Sequence, residues 1–258
     1  MTNGQPLHYR SLATIAGEIA SGEISSEAVT GHILERIAKL EPRLHAFAEV
    51  RGAAALKEAR EADARRARGE RLGTLHGVPV AVKDLCAMAG TVTRAGGFFR
   101  TRFKDADTAT VVRRLQDAGA IIVGKAQLTE GAWGAHHPEI TPPVNPWVQD
   151  YWSGASSSGS GVSVAAGLAY GATGTDTAGS IRFPSTCNRL VGLKPTWGRV
   201  SRHGVFPLSD TLDHVGPMTR TVLDAALMFD AMAGPDPSDP TTLDVPCHDL
   251  MAAPDSCN

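Results

Sequence analysis

Ser180 closes the small-residue part of GTDTAGSIRFP, Gly174 to Pro184, between an acidic turn and an Arg-Phe-Pro exit. Glycine and alanine let a backbone approach a bound group, and successive N–H groups without bulky neighbours can converge on one oxygen. A serine at the end of such a loop is placed as a nucleophile, provided that a base takes its proton; otherwise it is a turn residue. Two further segments carry residue types suited to supply that base. Lys83 ends the apolar run VPVAVK, where burial would disfavour the ammonium and pull its pKa down, the plain alternative being a lysine that reaches the sheet edge. The run SGASSSGSG, Ser153 to Gly161, reads on its own as a flexible linker.

The better-known arrangements are absent. The chain has neither Gly-x-Ser-x-Gly nor Ser-x-x-Lys. GAIIVGK, Gly119 to Lys125, follows a phosphate-binding loop for seven positions, but Ala126 stands where the metal-binding Ser or Thr belongs. Gly119 reads more simply as a helix C-cap and Ala120 to Val123 as a buried strand. No His-Glu-x-x-His occurs, His136 and His137 are adjacent in a Pro-rich loop, and Cys86, Cys187, Cys247 and Cys257 match no zinc spacing. The expectation is reduced thiols, no metal and no organic cofactor.

The elements that must position these residues follow from periodicity. With 258 residues, 42% of them hydrophobic, the chain can build a real core. A net charge of −2 gives no footprint for nucleic acid or an anionic membrane, and MTNGQPLHYR lacks the apolar centre of a signal peptide, so the cytoplasm is the expected address. Residues 11–21, behind Ser11, and 26–40 read as amphipathic helices, and AAALKEAREADARRARGE as a solvated one. From Val78 the chain alternates: VPVAVKD a strand, DTATVVRRLQDAGA a helix ended by Gly119, IIVG a strand. GVSVAAGLA follows as a small-residue helix, YGATG and VGLK as strands, and RTVLDAALMFDAMAG as a helix closed by Gly234. This alternation predicts an α/β chain with a mostly buried sheet.

Together, GVPVAVKD, SGASSSGSGVSVAAGLAYGATGTDTAGSIRFPS and VGLKPTWGRVSRHGVFPLSDTLDHVGPMTRTV resemble the amidase signature family, in order and spacing, from about Leu12 to about Pro240. TEGAWGAHHPEITPPVNPW is most similar to its general bacterial and fungal amidases. The resemblance implies a mixed sheet core covered by helices on both faces, with residues 1–75 as an N-terminal helical segment of the same domain, 76–234 as the catalytic core and 235–258 as an irregular Pro-rich tail. It implies Lys83 as the family's lysine, Ser156 as the serine with a cis peptide bond and Ser180 as the nucleophile. Ser157 is the reserve relay. Backbone N–H groups of Thr177, Ala178, Gly179 and Ser180 would meet the oxyanion. Asp176 and Arg182 flank the loop as a supporting pair, with Asp84 as a further partner.

Glycines usual in the family are replaced here by Ala155, Ser158 and Ala178, all small. Family members continue well beyond the helix near Gly234, so the fold reads as truncated at the C-terminus. Strands such as AIIVG would then lose a covering layer, which favours association. The implied function is hydrolysis of a small-molecule carboxamide, without nucleic acid or membrane partners and with homo-oligomer formation open. Two alternatives stand beside it: the amidase subunit of a tRNA-dependent amidotransferase, and an inactive fragment or pseudoenzyme.

Overall fold

The computed structural model describes residues 4–98 and 104–245. Three strands form the centre, β2 (Pro79–Lys83), β3 (Ile121–Ala126) and β4 (Gly171–Asp176), each buried along its whole length. Their apolar or small residues fit a sheet covered on both faces. All three run parallel, in the order β3-β2-β4. β1 (Phe47–Val50) lies antiparallel beside β3, while β6 (His214–Thr219) and β5 (Val191–Gly192) extend the other side, giving β1-β3-β2-β4-β6-β5. The chain leaves β2 for β3 on one side and reaches β4 on the other, so the order reverses at β2. In α/β sheets the crevice at the carboxyl ends of strands beside such a reversal is where ligands bind. Lys83 and Asp176 are the last residues of β2 and β4.

Helix α1 (Leu12–Ser21) starts behind its expected cap, Ser11 accepting from the Thr14 N–H, and α2 (Ser26–Leu44) is capped by Ser25, which accepts from the Ala28 N–H. Helix α3 (Gly52–Ala67) differs from its solvated reading: Ala55, Ala59 and Ala62 form a buried stripe, and the helix packs on β3. Alanines at i, i+4 and i+7 leave the charges outside and bring the helix close to the sheet. Helix α4 (Thr110–Asp117) is followed by Gly119 at φ +90°, where a Cβ would lie 2.7 Å from His76 Cα. The phosphate-loop resemblance thus resolves into a helix end and a strand.

SGASSSGSG is not a linker. Helix α5 (Ser158–Ala165) begins within it, and every residue of this helix is buried. A Cβ on Gly159 would lie 2.3 Å from Ala46 O and 2.5 Å from Gln127 N, so only a helix of very small residues fits there. α6 (Arg182–Cys187) and α7 (Val222–Met232) complete the helices, with Thr221 capping the latter. No helix among the described residues is long and apolar enough to cross a membrane.

Three elements, β1, β6 and α6, are absent from the sequence reading. HVGPMT carries Pro217, ordinarily a sign against a strand, yet its carbonyl accepts the Leu193 N–H at 3.1 Å while the ring simply withholds a donor. The expected uncovering of AIIVG does not occur: Ile121, Ile122 and Val123 are all buried. Residues 235–245 contain no helix or strand but are tied down, Ser201 Oγ donating to Asp236 at 2.6 Å and the Arg202 N–H to Asp239 at 2.7 Å. Cys86 and Cys187 are free thiols; Cys247 and Cys257 lie outside the described residues.

Lys125, the apparent phosphate-loop lysine, is fully buried on β3 with Nζ 2.9 Å from Asp84 and 2.6 Å from Thr93 Oγ1. Burial pushes the Asp84 carboxyl up, and Lys125 and the Arg94 N–H pull it back. Removing one member leaves a buried charge without its counter-ion. Lys125→Met should therefore destabilise the protein by about 3–5 kcal/mol in denaturant unfolding, and adding Asp84→Asn should recover part of that loss.

Candidate active site

Lys83 is fully buried, and its Nζ meets Ser156 Oγ and Thr175 Oγ1, each at 2.7 Å. Thr173, two residues earlier on β4, accepts the Lys83 backbone N–H at 2.9 Å through its hydroxyl. Burial lowers the amine from its ordinary 10.5 to about 7, while Cys86, Asp176 and Asp213 pull the other way. Hydroxyl groups can hydrogen-bond either protonation state, so this amine can exist neutral near neutral pH. Thr173 and Thr175 were missed by the sequence reading. Their signal is the alternation in GATGTD, which points both toward one face of β4.

The segment carrying Ser156 approaches from the other side. Gly154 has φ +83°, and a Cβ on it would lie 2.4 Å from Pro184 Cα, so the chain passes where a side chain cannot. The Ala155–Ser156 peptide bond is cis. Ser157 donates its N–H to Ser180 O at 3.3 Å, bringing the two serine segments into contact. The hydroxyl of Ser157 instead meets the Thr175 backbone, and that of Ser158 faces His136 Nε2 at 3.3 Å, leaving Ser156 as the serine on Lys83.

Asp176 organises the Ser180 loop. Its buried carboxylate accepts the N–H groups of Gly179 at 2.7 Å and Ile181 at 3.1 Å, and the Arg182 guanidinium grips both its oxygens at 3.0 Å. The expected Asp176–Arg182 pair is present. Asp84 is not part of it: its side chain belongs to Lys125, because it follows Lys83 in sequence and points the opposite way. Gly179 also departs from expectation, since its N–H is taken by Asp176 and its role is spatial: φ is +130°, and a Cβ would lie 2.4 Å from the Phe183 ring. Ala178 is exposed, so a methyl group there displaces nothing.

Ser180 opens on a cleft of about 330 Å³ whose walls are Trp133, Trp152, Phe183 and Leu208, with Ala155, Thr177 and Ala178 at its base. Trp133 is 73% exposed and Trp152 59%. Large aromatic surfaces open to solvent around one hydroxyl mark a place for an apolar ligand. Both tryptophans belong to the segment between β3 and α5.

Burial opposes ionisation of Asp176, but Arg182 and the amides of Ile181 and Gly179 outweigh it and hold its pKa below the ordinary 3.8. A depressed carboxyl stabilises the fold above that ordinary value, and the contribution is lost as pH falls toward the folded value. Asp176→Ala, which strands buried amides, should lower stability by about 1–3 kcal/mol at neutral pH. Thermal unfolding should also show a weaker loss of stability on acidification in the variant than in the native chain.

The amino-acid sequence and the fold lead to the same relatives. Residues 28–256 match the family model described as Amidase. The chain is 48% identical over 241 residues to the putative amidase AmiD of Mycobacterium tuberculosis, which covers 93% of this chain and 51% of that protein. It is 45% identical over 246 residues to a subunit of the glutamyl-tRNA(Gln) amidotransferase of Acidothermus cellulolyticus, covering 95% and 49% respectively. Among solved structures, the native peptide amidase of Stenotrophomonas maltophilia superposes with a TM-score of 0.87 at 41% identity, covering 94% of this chain and 52% of that one. The chain spans about half the length of the curated relatives it matches.

Proposed function

The chain belongs to the amidase signature family, and on that premise we propose that it hydrolyses the C–N bond of a carboxamide through Ser180, Ser156 and Lys83. The observation that carries this reading is the fully buried Lys83 amine resting on Ser156 Oγ at 2.7 Å with a pKa of about 7. As a neutral amine, Lys83 accepts the Ser156 proton while Ser156 takes that of Ser180, and the freed Oγ attacks the amide carbonyl. The tetrahedral oxyanion is met by the N–H groups of Thr177, Ala178 and Ser180. Collapse breaks the C–N bond, the proton returns along the same path to the departing ammonia or amine, and an ester to Ser180 remains. Water, deprotonated by the same relay, then adds to the ester and releases the carboxylate. Every proton step is carried by side chains of this chain.

The cleft walls favour an acyl group that is uncharged and apolar, because Trp133, Trp152, Phe183 and Leu208 offer area and no counter-ion. A second reading, the amidase subunit of a glutamyl-tRNA amidotransferase, is supported by the 45% identity to the Acidothermus cellulolyticus protein. An amidase releases ammonia from simple amides alone. The amidotransferase component requires glutamine and its partner chains.

Covalent labelling of Ser180 by a fluorophosphonate, mapped by peptide mass spectrometry, tests the nucleophile directly. Labelling should rise with pH through about 7 and level off above it, as Lys83 loses its proton. Lys83→Ala and Ser156→Ala should each slow labelling by about 10²–10⁴-fold. A folded protein that does not label at Ser180 overturns the reading.

A further inference from the structure

Asp213, whose charge reaches Lys83, lies in the loop that enters β6. Its carboxylate is divided between two segments of the cleft. One oxygen accepts the Thr177 hydroxyl; the other accepts the N–H groups of Leu208 at 2.8 Å and Ser209 at 3.0 Å. Thr177 and Leu208 both line the cleft beside Ser180. The backbone closes the same loop, the Asp213 N–H donating to Ser209 O at 3.1 Å.

We propose that Asp213 is a positioning residue for acyl transfer, its carboxylate locking the oxyanion loop at Thr177 to the cleft wall at Leu208. The inference rests on the reading of Ser180 as nucleophile. Three donors on one carboxylate are charge-assisted hydrogen bonds, stronger and more directional than those to a neutral acceptor. Asparagine carries no charge and one accepting oxygen instead of two, so it keeps the pair of amides only by turning a neutral N–H toward the Thr177 hydroxyl, which gives up the charge assistance on both segments.

The same carboxylate has an electrical consequence that a purely structural brace would lack. The charged groups that reach Lys83 are Asp176 on β4 and Asp213 before β6, while Cys86, which follows β2, has a thiol that burial raises above its ordinary 9 and so stays neutral there. Lys125 on β3 is a further nearby charge, paired with Asp84. Asp213 draws the Lys83 pKa upward against burial, so removing its negative charge lets that pKa fall further.

The test is the rate of Ser180 labelling by an alkyl fluorophosphonate as a function of pH, for the native chain, Asp213→Asn and Thr177→Val. Thr177→Val breaks the lock but leaves the charge. Both variants should lose about 10–100-fold in the high-pH plateau, because small misplacements of the reacting groups are that costly. The midpoint should move to lower pH in Asp213→Asn and stay in place in Thr177→Val. Circular dichroism and thermal melting establish that each variant folds. A folded Thr177→Val with the native plateau overturns the proposal even if Asp213→Asn fails to fold. So does a folded Asp213→Asn that only melts earlier, with plateau and midpoint unchanged. A native chain that does not label removes the nucleophile reading and this inference with it; labelling with both variants unmoved removes this inference alone.

Discussion

A primary amine held in the protein interior with hydroxyl groups as its partners is the constraint on which the rest of the site depends. Charged, such an amine is costly to bury; neutral, it needs only hydrogen bonds, and Ser156 and Thr175 provide them. That arrangement requires β2 to end inside the molecule, β4 to present threonines at the same level, and a third segment to bring a serine within 2.7 Å. The small residues of Gly154 to Gly161 meet the last demand. They let a chain segment and a buried helix occupy space that ordinary side chains would fill.

Two lysines on adjacent strands show how position decides chemistry. Lys83 and Lys125 are both fully buried, but Lys125 pairs in register with Val82, so the two side chains leave the sheet on opposite faces. Lys125 meets a carboxylate and acts as a structural cation. Lys83 meets hydroxyls, and burial brings its pKa down to about 7. Asp84, next to Lys83 in sequence, is drawn to the Lys125 side by the same alternation, which removes a carboxylate from the side that Lys83 faces.

Around Ser180, carboxylates serve shape more than charge. Asp176 gathers the amides of Gly179 and Ile181 and the Arg182 guanidinium into one turn, while Asp213 joins that turn to the segment at Leu208. The glycine at 179 answers two local requirements, a positive φ and the Phe183 ring where a Cβ would stand. Ala178 is tolerated because it is exposed at the open cleft. The loop has small residues for distinct reasons at successive positions.

Much of this was written locally. Apolar runs marked β2 and β3, the Ser11 cap and helical periodicity marked α1 and α2, and the family resemblance pointed to Lys83, Ser156 and Ser180, whose segments the fold brings into contact. Local pattern failed where partners come from far along the chain. Pro217 hid β6, the alanine stripe of α3 was covered by its charges, and the seryl-glycyl run looked flexible because nothing within it shows that β3 and the Ala46 carbonyl lie against it. The roles of Thr173, Thr175 and Asp213, and the separation of Asp84 from the Asp176–Arg182 pair, were decided only by strand register and loop packing. Residue types and spacing determine which chemistry a chain can hold. Which hydroxyl meets the amine, and which carboxylate does not, depends on contacts between distant segments that exist only once the sheet has formed.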